Sequence, residues 1–167
     1  MKNMKYLLVF VLAVFCIAGC GKKETETKEK GTVVDKNYIK FTLKEGWEMD
    51  DKSGDANNLT GSIYLTNVGS QNILRPTIRF EYRRGDTPKE ELEFWKGMYN
   101  TTKRMDNVTI KGTEYMVLND DSPMGKTITL YTSPGKFDEN KRGSVSIQIA
   151  NAKIEDVMSV LETISIK

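Results

Sequence analysis

An alternation of apolar and polar residues that returns in six stretches is the feature that most constrains the fold of this chain. In the stretch 77–83, Ile78, Phe80 and Tyr82 alternate with threonine, arginine and glutamate. Successive side chains of a β-strand point to opposite faces, so each stretch predicts a strand with one apolar face. Together they predict an antiparallel sheet of about six to seven strands with a single fully buried face. The other stretches are Ile39–Leu43, Ile63–Leu65, Tyr115–Val117, Ile128–Leu130 and Val145–Ile149.

Two further segments have the spacing of amphipathic helices. The first begins at Thr87, which can cap a helix, with Pro88 in the first turn and Glu90 completing a capping box. Its apolar stripe consists of Leu92, Trp95, Met98 and Tyr99. The second is expected from about Ala152 to Thr163, with an apolar stripe of Ile154, Val157, Met158 and Leu161. Two helices packed on one face of the sheet predict an α+β domain.

Residues 1–19 have the three parts of an export signal. Lys2 and Lys5 precede an apolar run that ends at Ile17, and two small residues follow it. The run is too short for a membrane span, which needs roughly 20 apolar residues. A signal peptide that is removed on export is therefore expected over residues 1–19.

The end of this signal, Ile17-Ala18-Gly19-Cys20, resembles the lipobox of bacterial lipoproteins. The resemblance implies that the Cys20 thiol accepts a diacylglyceryl group and that the chain is cut before Cys20. Acyl chains would then hold the protein at the extracytoplasmic face of the cell membrane, and two or three chains make such attachment effectively permanent. An ordinary secretory signal with a chance cysteine is the alternative, but its A-x-A cleavage motif is absent.

The stretch after Cys20 has no apolar residue, since Gly21–Gly31 reads GKKETETKEKG. Such a stretch cannot contribute to a core, so residues 20–31 are expected to be the lipidated cysteine and a solvated tether. Eleven residues reach at most about 40 Å, which keeps the domain close to the lipid headgroups. One globular domain is expected over residues 32–167, long enough to bury a core without disulfides.

Composition excludes several kinds of chemistry. The chain has no histidine and two cysteines, of which Cys16 leaves with the signal and Cys20 carries lipid. Thiol nucleophiles, disulfides and sites with cysteine or histidine metal ligands are therefore excluded. Removing Lys2 and Lys5 from the 25 basic residues leaves 23 against 23 acidic ones, so no nucleic-acid partner is expected.

Two acidic clusters are candidates for calcium ligands or for a catalytic carboxylate pair. One is Asp50-Asp51 with Asp55, and the other is Asp120-Asp121. Neither has the spacing of an EF-hand loop, and acidic turns are usually solvated. No catalytic residue, metal site or cofactor is therefore predicted.

The polar face of the predicted sheet is the candidate partner surface. It gathers tyrosine and arginine, which protein interfaces favour. The alternatives are a hydrated sheet face, or a face covered by a loop expected over 50–58. The candidate residues are Tyr64, Arg79, Glu81, Arg83 and Tyr131, with Thr129, Ser146 and Gln148 around them.

The order of these elements and the motif Phe41-x-Leu43-x-x-Gly46-Trp47 are similar to the PsbP/DcrB-like fold over residues 38–167. The resemblance implies a PsbP-like α+β domain in a small extracytoplasmic or accessory protein, often a lipoprotein, that binds partners instead of catalysing reactions. It places no family site residue on this chain, and the glycine–tryptophan corner is expected to be structural.

Three functional hypotheses follow. The leading one is a membrane-anchored, non-catalytic lipoprotein that binds or scaffolds an envelope protein partner. The second is a solute- or metal-binding accessory protein of a transporter, which requires a concave pocket. The third is a carboxylate-based hydrolase, which requires two carboxyls that face each other across a cleft.

Lipidation is tested by the substitution Cys20→Ala. The variant lacks the thiol that carries the lipid, so it should be released from the membrane fraction or accumulate as unprocessed precursor. Cell fractionation and immunoblotting measure both outcomes, and Cys16→Ala, which leaves the lipobox intact, is the control. A Cys20→Ala protein that is processed and anchored like the parent would overturn the assignment.

Overall fold

The computed structural model describes residues 31–52, 60–123 and 125–167, so the signal peptide, Cys20 and the tether before Gly31 lie outside the described residues. Ten strands and two short α-helices form an α+β domain in this part of the chain. The strands are β1 (Gly31–Asp35), β2 (Ile39–Lys44), β3 (Trp47–Asp51), β4 (Thr60–Asn67), β5 (Thr77–Arg83), β6 (Thr102–Ile110), β7 (Thr113–Ser122), β8 (Gly125–Thr132), β9 (Ser144–Ala150) and β10 (Ser165–Ile166). The helices are α1 (Pro88–Met98) and α2 (Met158–Leu161).

Two antiparallel sheets make up most of the domain. The larger one has seven strands in the order β3-β4-β5-β9-β8-β7-β6, and the smaller one has three in the order β1-β2-β10. The expected α+β class and antiparallel sheet are therefore confirmed. Neither helix in the described part of the chain has the length and apolar character of a membrane-spanning segment.

The main core lies between the two sheets. The apolar face of the large sheet, including Ile63, Phe80 and Ile147, is fully buried. It packs against the small sheet and the C-terminal helical turn, and the rings of Phe41 and Phe80 meet with centroids 5.1 Å apart. Burial of these aliphatic and aromatic side chains supplies most of the free energy that favours folding.

Helix α1 packs on the opposite face of the large sheet. Its predicted start is confirmed, because the Glu90 N–H donates to Thr87 Oγ1 (3.1 Å) and the Thr87 N–H donates to Glu90 Oε2 (2.9 Å). Leu92 and the partly buried Trp95 form a second cluster with side chains of β7 and β8. The expectation of two helices on one face is therefore wrong, and the centre of the second sheet face is also covered.

Three details of the predicted helices are corrected by the structure. Met98 and Tyr99 of the expected α1 stripe are each 49% exposed, and Tyr99 lines a cavity. The second helix, expected over 152–163, consists of a 3₁₀ turn (Glu155–Val157) followed by the four residues of α2. It ends early because Thr163 binds β2 instead, its Oγ1 accepting the Thr42 N–H at 2.9 Å.

Four strands have no counterpart in the predicted pattern, and the shortest of them is β10. Strand β1 begins at Gly31, the last residue of the expected tether, and β3 contains Asp50 and Asp51 of the expected loop, whose residues 53–58 lie outside the described part. Strand β6 ends the large sheet and pairs with β7 through a register shift between Met105 and Val108.

The core is tested by Ile147→Ala. Ile147 is fully buried on β9, the central strand of the large sheet, so truncation should lower the free energy of unfolding by about 2 to 5 kcal/mol. Ile73→Ala is the matched control, because Ile73 is 101% exposed and its change should stay within about 0.5 kcal/mol. Urea denaturation measures both; equal losses would contradict the described burial.

Candidate functional site

A cavity of about 500 Å³ lies between α1, the segment that follows it, and the polar face of strands β5, β9, β8 and β7. A volume of this size is typical of a site for a small molecule. The lining residues are Arg79, Glu81, Glu91, Trp95, Tyr99, Asn100, Thr101, Thr102, Leu118, Asp120, Ser122, Pro123, Thr127, Thr129, Tyr131, Ser146 and Gln148.

Regular spacing places these side chains around one space. On α1, Glu91 and Trp95 lie four residues apart, so they share the face turned toward the sheet, and Tyr99 directly follows the helix. On the strands, alternate residues such as Ser146 and Gln148 point to the same face. The cavity therefore lies where α1 crosses the polar face of the large sheet.

The cavity is deep at one end and open at the other. Glu91, Leu118 and Tyr131 are 3%, 4% and 2% exposed and form the buried end. The exposed lining residues are Tyr99, Asn100 and Pro123. These lie where α1 runs into β6 and where β7 turns toward β8, so the opening is at this end of the sheet.

Aromatic rings form the helix side of the cavity. Trp95 stacks on Tyr99 with ring centroids 6.2 Å apart and an interplanar angle of 8°. Phe94 meets the edge of Trp95 at 5.3 Å from outside the cavity. A stacked pair of this kind offers an electron-rich face that can hold apolar or cationic groups.

The acidic side chains of the cavity outnumber the arginines that pair with them. Arg79 forms an ion pair with Glu81, and Arg83, just outside the lining, lies 3.4 Å from Glu91. Asp120 accepts a hydrogen bond from the Thr101 hydroxyl at 2.6 Å, a neutral donor. Within the described residues Asp120 has no ion-pair partner, so its charge is the excess negative charge of the site.

Glu91 is a buried carboxylate at the deep end. Burial raises the pKa of its carboxyl, while the Ser144 hydroxyl and the Arg83 guanidinium lower it by less. Glu91 Oε2 and Ser144 Oγ are both buried, and neither makes a hydrogen bond of standard geometry within the described residues. A buried carboxyl whose pKa is raised, in a cavity, is a feature typical of binding and catalytic sites.

The structure divides the predicted partner surface. Arg79, Glu81 and Tyr131 line the cavity, and Tyr131 is nearly inaccessible beneath α1. Tyr64 lies outside the lining, with the Arg79 guanidinium 5.2 Å and Lys52 Nζ 5.4 Å from its ring centroid. Arg83 lies outside the lining and forms an ion pair with Glu91. The cavity is also lined by three residues expected around that surface, Thr129, Ser146 and Gln148.

Sequence reasoning missed one of the residues that define the site and gave two others a different role. Glu91 was not singled out, although its place one turn before Trp95 puts it on the stripe side of α1. Trp95 was expected in the core but lines the cavity, and Asp120 was considered only as part of an acidic pair. The usable signal for Asp120 is alternation on β7, which turns it to the same face as Leu118.

In the described part of the chain, every member of the acidic clusters except Asp120 forms an ion pair, and Asp51 pairs with Lys36. Asp50 pairs with Lys52 at 3.0 Å, and Asp121 with Lys126 at 3.2 Å. Asp55 lies outside the described residues. Over the described ranges, no group of three or more acidic, histidine or cysteine side chains is arranged to hold a metal ion.

No protein-family model and no curated protein matches this chain. A solved structure of a protein from Bacteroides thetaiotaomicron is similar over 82% of this chain and 48% of its own, with 9% sequence identity and a TM-score of 0.46. The chain thus spans about half the length of that protein. A likeness at this level carries no conclusion about family or function.

The titration of Glu91 is tested by Glu91→Gln. Because burial raises the pKa of Glu91 in the folded state, the stability linked to it is present below the unfolded pKa and lost as pH rises through the folded pKa. Glutamine does not titrate. The free energy of unfolding of the variant should therefore rise relative to the parent between about pH 3 and 7.

Glu90→Gln is the control with the opposite sign. The backbone hydrogen bond from Thr87 lowers the pKa of Glu90, so its stability is present above the unfolded pKa and lost as pH falls through the folded pKa. Relative to this variant, the parent should gain stability over the same pH interval. Urea denaturation across pH measures both, and curves of equal slope for the two variants would contradict the assignment.

Proposed function

We propose that this protein is a lipid-anchored extracytoplasmic binding protein whose cavity holds a small organic cation. The observation that carries the proposal is the cavity itself, with its stacked Trp95 and Tyr99 and the unbalanced charge of Asp120. This is the solute-binding hypothesis in a more specific form. A protein partner in the envelope stays a prediction.

The membrane anchor and the fold family belong to the same proposal. The lipobox ending at Cys20, the export signal and the charged tether support a protein held at the extracytoplasmic face of the cell membrane. The order of an opening strand, a sheet interrupted by α1 and a closing helix supports the PsbP-like interpretation.

A cationic ligand is favoured by the carboxylate of Asp120 and by the aromatic ring of Trp95. Arg79 and Arg83 compensate Glu81 and Glu91, whereas Asp120 has no ion-pair partner within the described residues. Attraction between a cation and an aromatic face contributes about 0.5 to 2 kcal/mol, more where water is excluded. An ammonium group between Asp120 and the Trp95 ring would gain both interactions.

Hydrolysis is less well supported than binding. Three carboxyls do line the cavity, but Glu81 and Glu91 are paired with arginines and Asp120 accepts a hydrogen bond from the Thr101 hydroxyl. A general acid must reach the bond that breaks, and Glu91 Oε2 has almost no accessible surface. These pairings support ligand binding over hydrolysis.

The cation is tested with choline and tetramethylammonium, and with 3,3-dimethylbutan-1-ol, the alcohol in which carbon replaces the ammonium nitrogen of choline. Isothermal titration calorimetry on the parent should detect the cations and a weaker or absent signal for the alcohol. Asp120→Asn should weaken choline binding about tenfold or more, because the amide keeps the Thr101 contact but loses the charge.

Asp121→Asn is the matched control, since Asp121 is the next residue on β7 and pairs with Lys126 away from the cavity. Its affinity for choline should equal that of the parent. Melting temperatures of both variants establish that each is folded. If no cation binds, or if the neutral alcohol binds equally well, the cation assignment is wrong.

A further inference from the structure

The expected tether would enter the domain at Gly31, near one end of the large sheet. Gly31 pairs in register with Lys44, and a tight turn through Gly46 follows directly. Gly46 has a φ of 82°, and its carbonyl accepts the N–H groups of Val68 (2.8 Å) and Gly69 (3.1 Å). The point where the tether meets the domain and the loop between β4 and β5 thus lie at the same end of the large sheet.

This loop presents two adjacent apolar side chains at its tip. Ile73 is 101% exposed and Leu74 is 66% exposed. Single exposed apolar residues are ordinary, but adjacent aliphatic side chains that protrude from a surface are typical of a contact with another apolar phase. Within the described domain they pack on nothing that would explain their position.

Neighbouring loops hold basic residues beside this tip. The Asn151 side-chain amide donates to the Arg75 carbonyl at 3.3 Å, and the Asn151 N–H donates to the Lys126 carbonyl at 3.4 Å. These contacts place the end of β9 and the start of β8 next to the loop. The side chain of Lys126 is 78% exposed, and Arg75 and Lys153 are exposed as well.

We propose that this end of the domain is a membrane-contact surface at which Ile73 and Leu74 insert among lipid headgroups. The proposal rests on the lipidation of Cys20, because eleven residues, at most about 40 Å of chain, then hold this end toward the bilayer. An anchored domain meets the lipid at a high effective concentration, so a weak apolar contact becomes occupied.

Charge has a secondary part in this contact. Arg75, Lys126 and Lys153 favour anionic lipid, but Glu45 is exposed at the same end and Asp121 pairs with Lys126. Apolar insertion of the loop tip is therefore the main attraction, as for residues that enter the headgroup region from amphipathic surfaces. The contact should persist when salt is raised.

The test uses the mature lipoprotein, whose Cys20 is blocked by lipid, so that one introduced cysteine can be labelled. Ile73→Cys places a bimane label on the loop tip, and Lys136→Cys places it on an exposed loop at the opposite end of the sheet. Both are reconstituted in vesicles of phosphatidylcholine and phosphatidylglycerol that contain nitroxide-labelled lipid. Quenching at position 73 should be several-fold stronger than at position 136.

A third variant checks that the apolar tip causes the contact. Leu74→Ser in the Ile73→Cys background should lower the quenching without changing the melting temperature, because Leu74 is exposed in the fold. Vesicle-bound protein with equal quenching at both positions disproves the contact surface and leaves the anchor intact. Protein that does not remain with the vesicles disproves the anchor, and with it this surface.

Discussion

The whole structure depends on the burial of three adjacent strands, β5, β9 and β8, between two unlike layers. On one side their aliphatic residues meet the small sheet and the C-terminal helical turn and form the hydrophobic core. On the other side their polar residues meet α1, which touches the sheet closely only at its first turns and leaves a cavity beyond them. The same strands thus provide the stability of the domain with one set of alternate residues and the chemistry of the site with the other.

How much of this fold follows from the sequence depends on whether a strand is central or at an edge. Strands β5 and β9 have clean alternation because their two faces meet different surroundings, and they were predicted. Strand β3 is largely exposed and β1 is exposed at four of its five residues, so neither has the apolar period on which such prediction depends. The start of α1 was predicted because the capping box is local, whereas the sheet face on which it packs is decided by the tertiary fold.

The site shows the same division between local and tertiary information. Arg79, Glu81 and Tyr131 were placed together correctly, because alternation and strand pairing are enough to assign them to one face. Their enclosure by α1 could not be predicted, since a helical stripe indicates that a face is buried without indicating against what. Glu91 looks like an ordinary acidic residue of a first helical turn, and it is burial between α1 and the sheet that raises the pKa of its carboxyl.

The irregular pairing of β6 has a consequence for many copies of this protein on one surface. Strands β3 and β6 are the outer strands of the large sheet in the described structure, and an outer strand can pair with that of a neighbouring molecule. Proteins confined to a plane collide often and in similar orientations, which favours such pairing. The register shift after Met105 interrupts the ladder of β6, and Lys103, Arg104 and Asp106 add charges along it. If the protein is anchored as proposed, this interruption disfavours the joining of neighbouring copies through β6 into one continuous sheet.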